Sequence, residues 1–308
     1  MPAVSQKCRP DARSGPDPSA IYGRTFISTF TSTFTSTSTF TSTSIDNKEV
    51  LQYLNEYKPP TEGQLLRVLL CGPVGAGKSS LINSVLSVLR GRIYRQALAV
   101  DTSSDSVTKE YTSYRIKKDD GSFYPLVFND IMGLSKEGGV LVEDIKLALK
   151  GHVKDGYRFN PRGELSEDDR HYNNFPTSSD RVHLLVFVVP ADTLSLMEDQ
   201  LVQKLRNIKG EASRLNIPQL AVLTKIDVAF PEVKDVKDNY KSRNVKVMME
   251  KCSAKMAIRM NCIFPVRNYC EEIDMSDDMD SLILSTIKHI LHCADDFLAF
   301  TQKEPDSS

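Results

Sequence analysis

Residues 68–89 read VLLCGPVGAGKSSLINSVLSVL, and no other stretch narrows the possible folds so far. An apolar run ends at Gly72; Gly75 and Gly77 follow, then Lys78, Ser79 and Ser80, then a segment with helical character. Gly72, Gly77, Lys78 and Ser79 satisfy the pattern GxxxxGK[ST] in full. Glycines let the backbone turn so that several N–H groups converge on phosphate oxygens. The helix N-terminus adds partial positive charge. Lys78 would reach the β- and γ-phosphates, and Ser79 would offer a hydroxyl to Mg²⁺.

The surrounding pattern supplies the context this loop needs. Strands are expected over 65–71, 107–117, 124–130, 183–190, 219–225 and 262–266, as short apolar or β-branched runs. Helices are expected over 47–57, 81–90, 142–153, 194–215, 246–260 and from about Ser276, where Ile283, Ile287, Ile290, Ala294 and Phe297 share one face. Strands alternating with helices predict an α/β P-loop NTPase of G-domain-like form: a mostly parallel sheet with helices on both faces. The expected GTPase-like domain runs over 62–300, preceded by a helix and linker at 46–61 and followed by a tail at 301–308. Residues 1–45 carry TFISTFTSTFTSTSTFTSTS, a Thr/Ser/Phe tract expected to be disordered. Residues 154–180 are polar and lack periodicity, the look of a long structureless loop with a functional or mobile role.

Two further motifs follow the loop in order. NDIMG places Asp130 and Gly133 as DxxG at the end of a strand; the Asp can hold Mg²⁺ through water and the Gly N–H can meet a γ-phosphate. TKID places Thr224, Lys225 and Asp227 at the end of another strand. The Asp227 carboxylate can accept from guanine N1–H and N2–H₂, a donor pair adenine lacks. The Lys225 stem can pack on the base. The triplet SAK at 253–255 imitates a base-capping motif but falls inside a predicted helix, so the cap is assigned to Arg267 and Asn268 in VRNYCEE. A Thr closing over Mg²⁺ is sought among Thr102, Thr108 and Thr112, with Thr108 favoured. The expected ligands are thus GTP or GDP with Mg²⁺, the metal held by Ser79, Thr108 and Asp130.

Leu134 stands directly after DxxG, where a Gln would orient the attacking water. A leucine cannot hydrogen-bond water, so turnover is expected to be slow, or the water is ordered by a loop, a partner or a second subunit. A slow GTPase switch working through 100–112 and 130–140, and a non-hydrolysing nucleotide-bound scaffold, both remain open. Dimerisation through the nucleotide face is an expectation of the same gap. His289 and His292, three apart, are read as ordinary helix positions, and ELSEDD (164–169) as a solvated acidic loop.

Composition excludes some classes. A net charge of −1 gives no general basic character for nucleic acid, and no dense Lys/Arg block stands out. The six cysteines form no CxxC pair, so they read as small apolar residues of a reducing compartment. No apolar run approaches the roughly 18 residues of a membrane span, and the N-terminus lacks a signal peptide's apolar stretch. A cytoplasmic location follows as an expectation.

At RVLLCGPVGAGKSSLINSVLSVLRG, YPLVFNDIMGL, DIKLALKGHV, YRFNP, LSEDD and FPVRNYCEE the sequence resembles the interferon-induced protein 44 family, from about residue 45 to 300. The resemblance implies an interferon-inducible, cytoplasmic, guanine-nucleotide-binding P-loop protein of the innate antiviral response, with protein partners it does not name. It maps the family's P-loop onto Gly72–Ser80, its DxxG onto Asp130 and Gly133, and its base-reading motif onto Thr224–Asp227. Two departures stand out. Ile131 lies where the family often has Thr, and the Thr/Ser/Phe tract lies where some relatives carry an extra folded domain.

Overall fold

The computed structural model describes residues 46–97, 109–231 and 242–301. Within them the chain runs α1 (Asn47–Glu56), β1 (Leu66–Cys71), α2 (Lys78–Arg90), β2 (Thr112–Lys117), β3 (Phe123–Asp130), α3 (Val142–Lys150), β4 (Leu184–Pro190), α4 (Asp199–Arg214), β5 (Gln219–Thr224), the one-turn α5 (Ile226–Ala229), α6 (Arg243–Met256), β6 (Ile263–Pro265) and α7 (Asp277–Thr301). The Thr/Ser/Phe tract, Thr102, Thr108 and the 301–308 tail beyond Thr301 lie outside the described residues.

The apolar runs of β1, β4 and β5 are buried almost throughout, as strands covered on both faces must be. The sheet order is β2-β3-β1-β4-β5-β6. β3, β1, β4, β5 and β6 run parallel, and β2 pairs antiparallel on the edge. Helices α1, α2 and α7 pack as one group, and α3, α4 and α6 as another. This is the expected mostly parallel α/β P-loop fold with flanking helices. The expected stripe on α7 is buried: Ile283, Ile287, Ile290, Ala294 and Phe297 all face the core. α1 docks on α7, where Tyr57 donates its hydroxyl to Asp295 at 2.5 Å and Asn47 donates to the Asp277 carbonyl at 3.0 Å.

Three expectations are corrected. Of the strand expected over 107–117, residues 107 and 108 lie outside the described residues, and Lys109–Tyr111 precede β2, which begins at Thr112. The backbone of Lys109–Tyr111 pairs instead with the 156–159 segment, Tyr111 N–H to Tyr157 O at 2.8 Å and Phe159 N–H to Lys109 O at 2.9 Å. The helix expected over 194–215 is divided. A 3₁₀ turn at Leu194–Leu196 precedes an extended Met197 and Glu198, and the α-helix starts at Asp199. The 154–180 segment is anchored rather than structureless. Buried Asp144 accepts from Leu165 N–H at 2.8 Å, His152 stacks on Tyr172, and Tyr157, Phe159, Leu165 and Tyr172 are buried. Aperiodic sequence hid this anchoring because the apolar residues are spaced by turns, not by a helix or strand period.

Candidate functional site

The glycines of the loop are dictated by contact and by dihedral angle. A Cβ on Gly72 would lie 2.1 Å from the Val188 carbonyl oxygen, so β4 passes too close for any side chain. Gly77 has φ +87° and precedes α2 with no side-chain cap, which leaves the first helical amides turned toward the loop. Gly75 sits exposed at the outer turn, and Ser80 is half-buried in the first turn of α2.

Lys78 is buried and donates to the carbonyls of Pro73 at 3.2 Å and Gly72 at 3.4 Å. Burial pushes its pKa down, and the charge of Asp130 opposes that shift. An ammonium held mainly by neutral carbonyls in a dry setting favours an anion beside it. Ser79 donates its hydroxyl to Asp130 Oδ2 at 2.5 Å, so the end of β3 and the start of α2 bring the two expected Mg²⁺ ligands into contact. A hydroxyl and a carboxylate are hard oxygen donors, which suits Mg²⁺. Thr112 heads β2 directly opposite Asp130 in the antiparallel register. Gly133 and Leu134 follow, and the Leu134 side chain is buried and carries no hydrogen-bonding atom with which to orient a water.

Thr224 is buried, and its hydroxyl donates to the Ala76 carbonyl at 2.7 Å, tying the TKID motif to the P-loop. Lys225 takes the left-handed conformation, φ +56°, and its Nζ lies 3.7 Å from Asp192 Oδ2. Asp227 is partly exposed, with Arg267 Nε 3.9 Å from its Oδ2. The assigned cap divides into two roles. Arg267 spans Asp227 and Glu272, the latter at 2.8 Å. Asn268 turns inward and donates to the Gly77 carbonyl at 3.3 Å, while its buried Oδ1 has no hydrogen-bond partner. The SAK triplet lies in the last turns of α6, where Lys255 reaches the carbonyls of Met197 and Ser195.

The chain thus gathers P-loop, DxxG, TKID and the VRNYCEE loop at the C-terminal ends of the parallel strands. No family model matches it. Interferon-induced protein 44 of Homo sapiens is 34% identical over 255 residues, covering 82% of this chain and 57% of that protein. The Mus musculus protein is 35% identical over 255 residues, covering 82% and 60%. The Homo sapiens interferon-induced protein 44-like is 30% identical over 254 residues, covering 81% and 56%. The chain belongs to the interferon-induced protein 44 family. It spans a little over half the length of these relatives. Among solved structures, Toc33 from Arabidopsis thaliana in complex with GDP and Mg²⁺ resembles it remotely, at 17% identity and a TM-score of 0.48, over 80% of this chain and 91% of that one. That likeness adds nothing to the strand order already described.

Some members of the site went unread in the sequence of this family member. Asp192, beside Lys225, and Glu272, beside Arg267, are recognisable only as polar residues just past a strand's C-terminal edge. The histidines of α7 are packing residues: His289 meets Phe264 and the Ser285 carbonyl, and His292 meets Tyr53. No helix among the described residues is long and apolar enough to cross a membrane.

Proposed function

We propose that this interferon-induced protein 44 family member binds guanine nucleotides with Mg²⁺ in the cytoplasm, acts in the innate antiviral response, and hydrolyses GTP slowly as a switch. The observation that carries the reading is Lys78, buried at the mouth of a helix N-terminus beside the Ser79–Asp130 pair. Gly77, Lys78 and the amides of Ser79 and Ser80 would hold the phosphates. Mg²⁺ held by Ser79 and Asp130, with Thr108, would neutralise phosphate charge. Asp227 would select guanine, with Lys225 packed against the base and Asn268 fixing the cap loop to Gly77.

The buried Leu134 supports a second reading, in which the nucleotide is held uncut and the protein is a scaffold for immune partners, or dimerises to order the water. One experiment divides these. Bound nucleotide is extracted from the purified full chain, then GTP and Mg²⁺ are added and GDP is followed, beside Lys78→Ala. GDP that forms only with Lys78 present supports the switch. GTP that binds and persists supports the scaffold. Equal competition by ATP overturns guanine selectivity.

A further inference from the structure

We propose that Lys204 is a positioning residue of the phosphate site: from α4 it holds the segment carrying Gly133 against the P-loop through contacts within the protein itself. The proposal rests on the guanine-nucleotide reading above. Lys204 Nζ donates to the carbonyls of Ser135 at 2.8 Å and Lys136 at 3.2 Å. Charged donors make stronger hydrogen bonds than neutral ones. Immediately upstream, two backbone rungs join the same segment to the loop. Leu134 N–H donates to the Gly72 carbonyl at 3.0 Å, and Val74 N–H donates to the Leu134 carbonyl at 3.0 Å. These continue the β1–β3 pairing beyond the ends of both strands, as a parallel bridge between Pro73 and Leu134. Val140 N–H then closes the return by donating to the Gly133 carbonyl at 3.2 Å.

The fit leaves little slack. A Cβ on Gly133 would lie 2.6 Å from Val74 Cα, and the Leu134 side chain is buried beneath. The Lys136–Glu198 pair, 3.2 Å apart and half-exposed on both sides, adds little. Lys204 is therefore the charged anchor that ties the segment to α4.

A segment that is ordered in advance does not have to be ordered by its ligand. The γ-phosphate would meet a Gly133 already in place. Lys204→Met removes the anchor, so the ordering cost returns, and it falls on the triphosphate form. Lys204→Arg keeps a donor of similar reach.

The test pairs calorimetric titration of GDP and the non-hydrolysable analogue GMPPNP with amide hydrogen exchange on the nucleotide-free chain. For Lys204→Met the expected result is about tenfold weaker GMPPNP binding with GDP affinity changed less than about twofold. The Val74 and Leu134 amides, protected in the wild type, should then exchange about tenfold faster. Lys204→Arg should restore most of both. Equal weakening of GDP and GMPPNP, or unprotected Val74 and Leu134 amides in the wild type, overturns the proposal. If the wild type binds neither nucleotide, the nucleotide reading and the phosphate role fall together, and protected amides would leave Lys204 as a purely structural anchor.

Discussion

Thr224 donates its hydroxyl to the Ala76 carbonyl across 148 positions of chain, at 2.7 Å. That bond docks the end of β5 onto the P-loop and so sets where Asp227 can stand relative to Lys78. Thr224→Val keeps the shape but leaves the Ala76 carbonyl bare in a buried place. The loss should cost about 1–3 kcal/mol of stability and weaken GDP binding, read by urea unfolding and calorimetry. Unchanged GDP affinity in a destabilised variant would show that the bond holds the fold and not the site.

Lys78 should be costly to the protein without ligand. Its folded-state pKa lies below its ordinary value, so in the window between the two the unfolded chain binds more protons than the folded one. Stability of the wild type should rise as pH rises through that window. Lys78→Met should lack the rise, and at neutral pH should be more stable than the wild type by about 1–3 kcal/mol, while losing nucleotide binding. A variant less stable than the wild type would show that the two carbonyls compensate the buried charge.

Ser79 and Asp130, in contact at 2.5 Å, are the proposed metal ligands. Ser79→Ala and Asp130→Asn should each lower nucleotide affinity about 10–100-fold in Mg²⁺ and hardly at all in EDTA. Titrations in both media provide the comparison, and a loss of the same size in EDTA would remove Mg²⁺ from the account.

His183 gives the fold an acid sensitivity. It is buried; its Nδ1 accepts the Arg67 amide N–H at 2.9 Å. Burial first, and then the Arg67 charge, push its pKa down to about 4. Between there and its ordinary value the unfolded chain takes up the proton, so stability is complete above about pH 6.5 and declines as pH falls toward 4. The loss from this group should reach roughly 3 kcal/mol, measured by urea unfolding from pH 7 to 4.5. His183→Gln should flatten that part of the profile; a slope identical to the wild type would assign the acid sensitivity elsewhere.

Much of the architecture was legible because it is local. LLVFVVP and QLAVLT are apolar at successive positions, and only buried parallel strands tolerate that. GxxxxGKS, DxxG and TKID are each a few residues long and each ends a strand, so their spacing alone put Lys78, Asp130 and Asp227 at one sheet edge. What was misread depends on partners far along the chain. Lys109–Tyr111 is extended, yet its hydrogen bonds go to 156–159 and not to β3. Residues 194–198 keep helical spacing, yet Met197 and Glu198 are extended. VRNYCEE, proposed as the base cap, carries contacts the sequence does not spell out: Asn268 to the Gly77 carbonyl, and Arg267 to Asp227 and Glu272.

The sequence by itself determined the parallel sheet, the phosphate-loop motif and the order of the motifs, since periodicity and short-range backbone chemistry carry all three; the family rests instead on residue-by-residue similarity to its members. The tertiary structure alone decided how the motifs are joined: Thr224 to Ala76, Ser79 to Asp130, and Lys204 to the carbonyls after Leu134. Those bonds link residues 51 to 148 positions apart. No local pattern records such a pairing, because hydrogen-bond geometry at that range depends on where the whole sheet and its helices place each backbone.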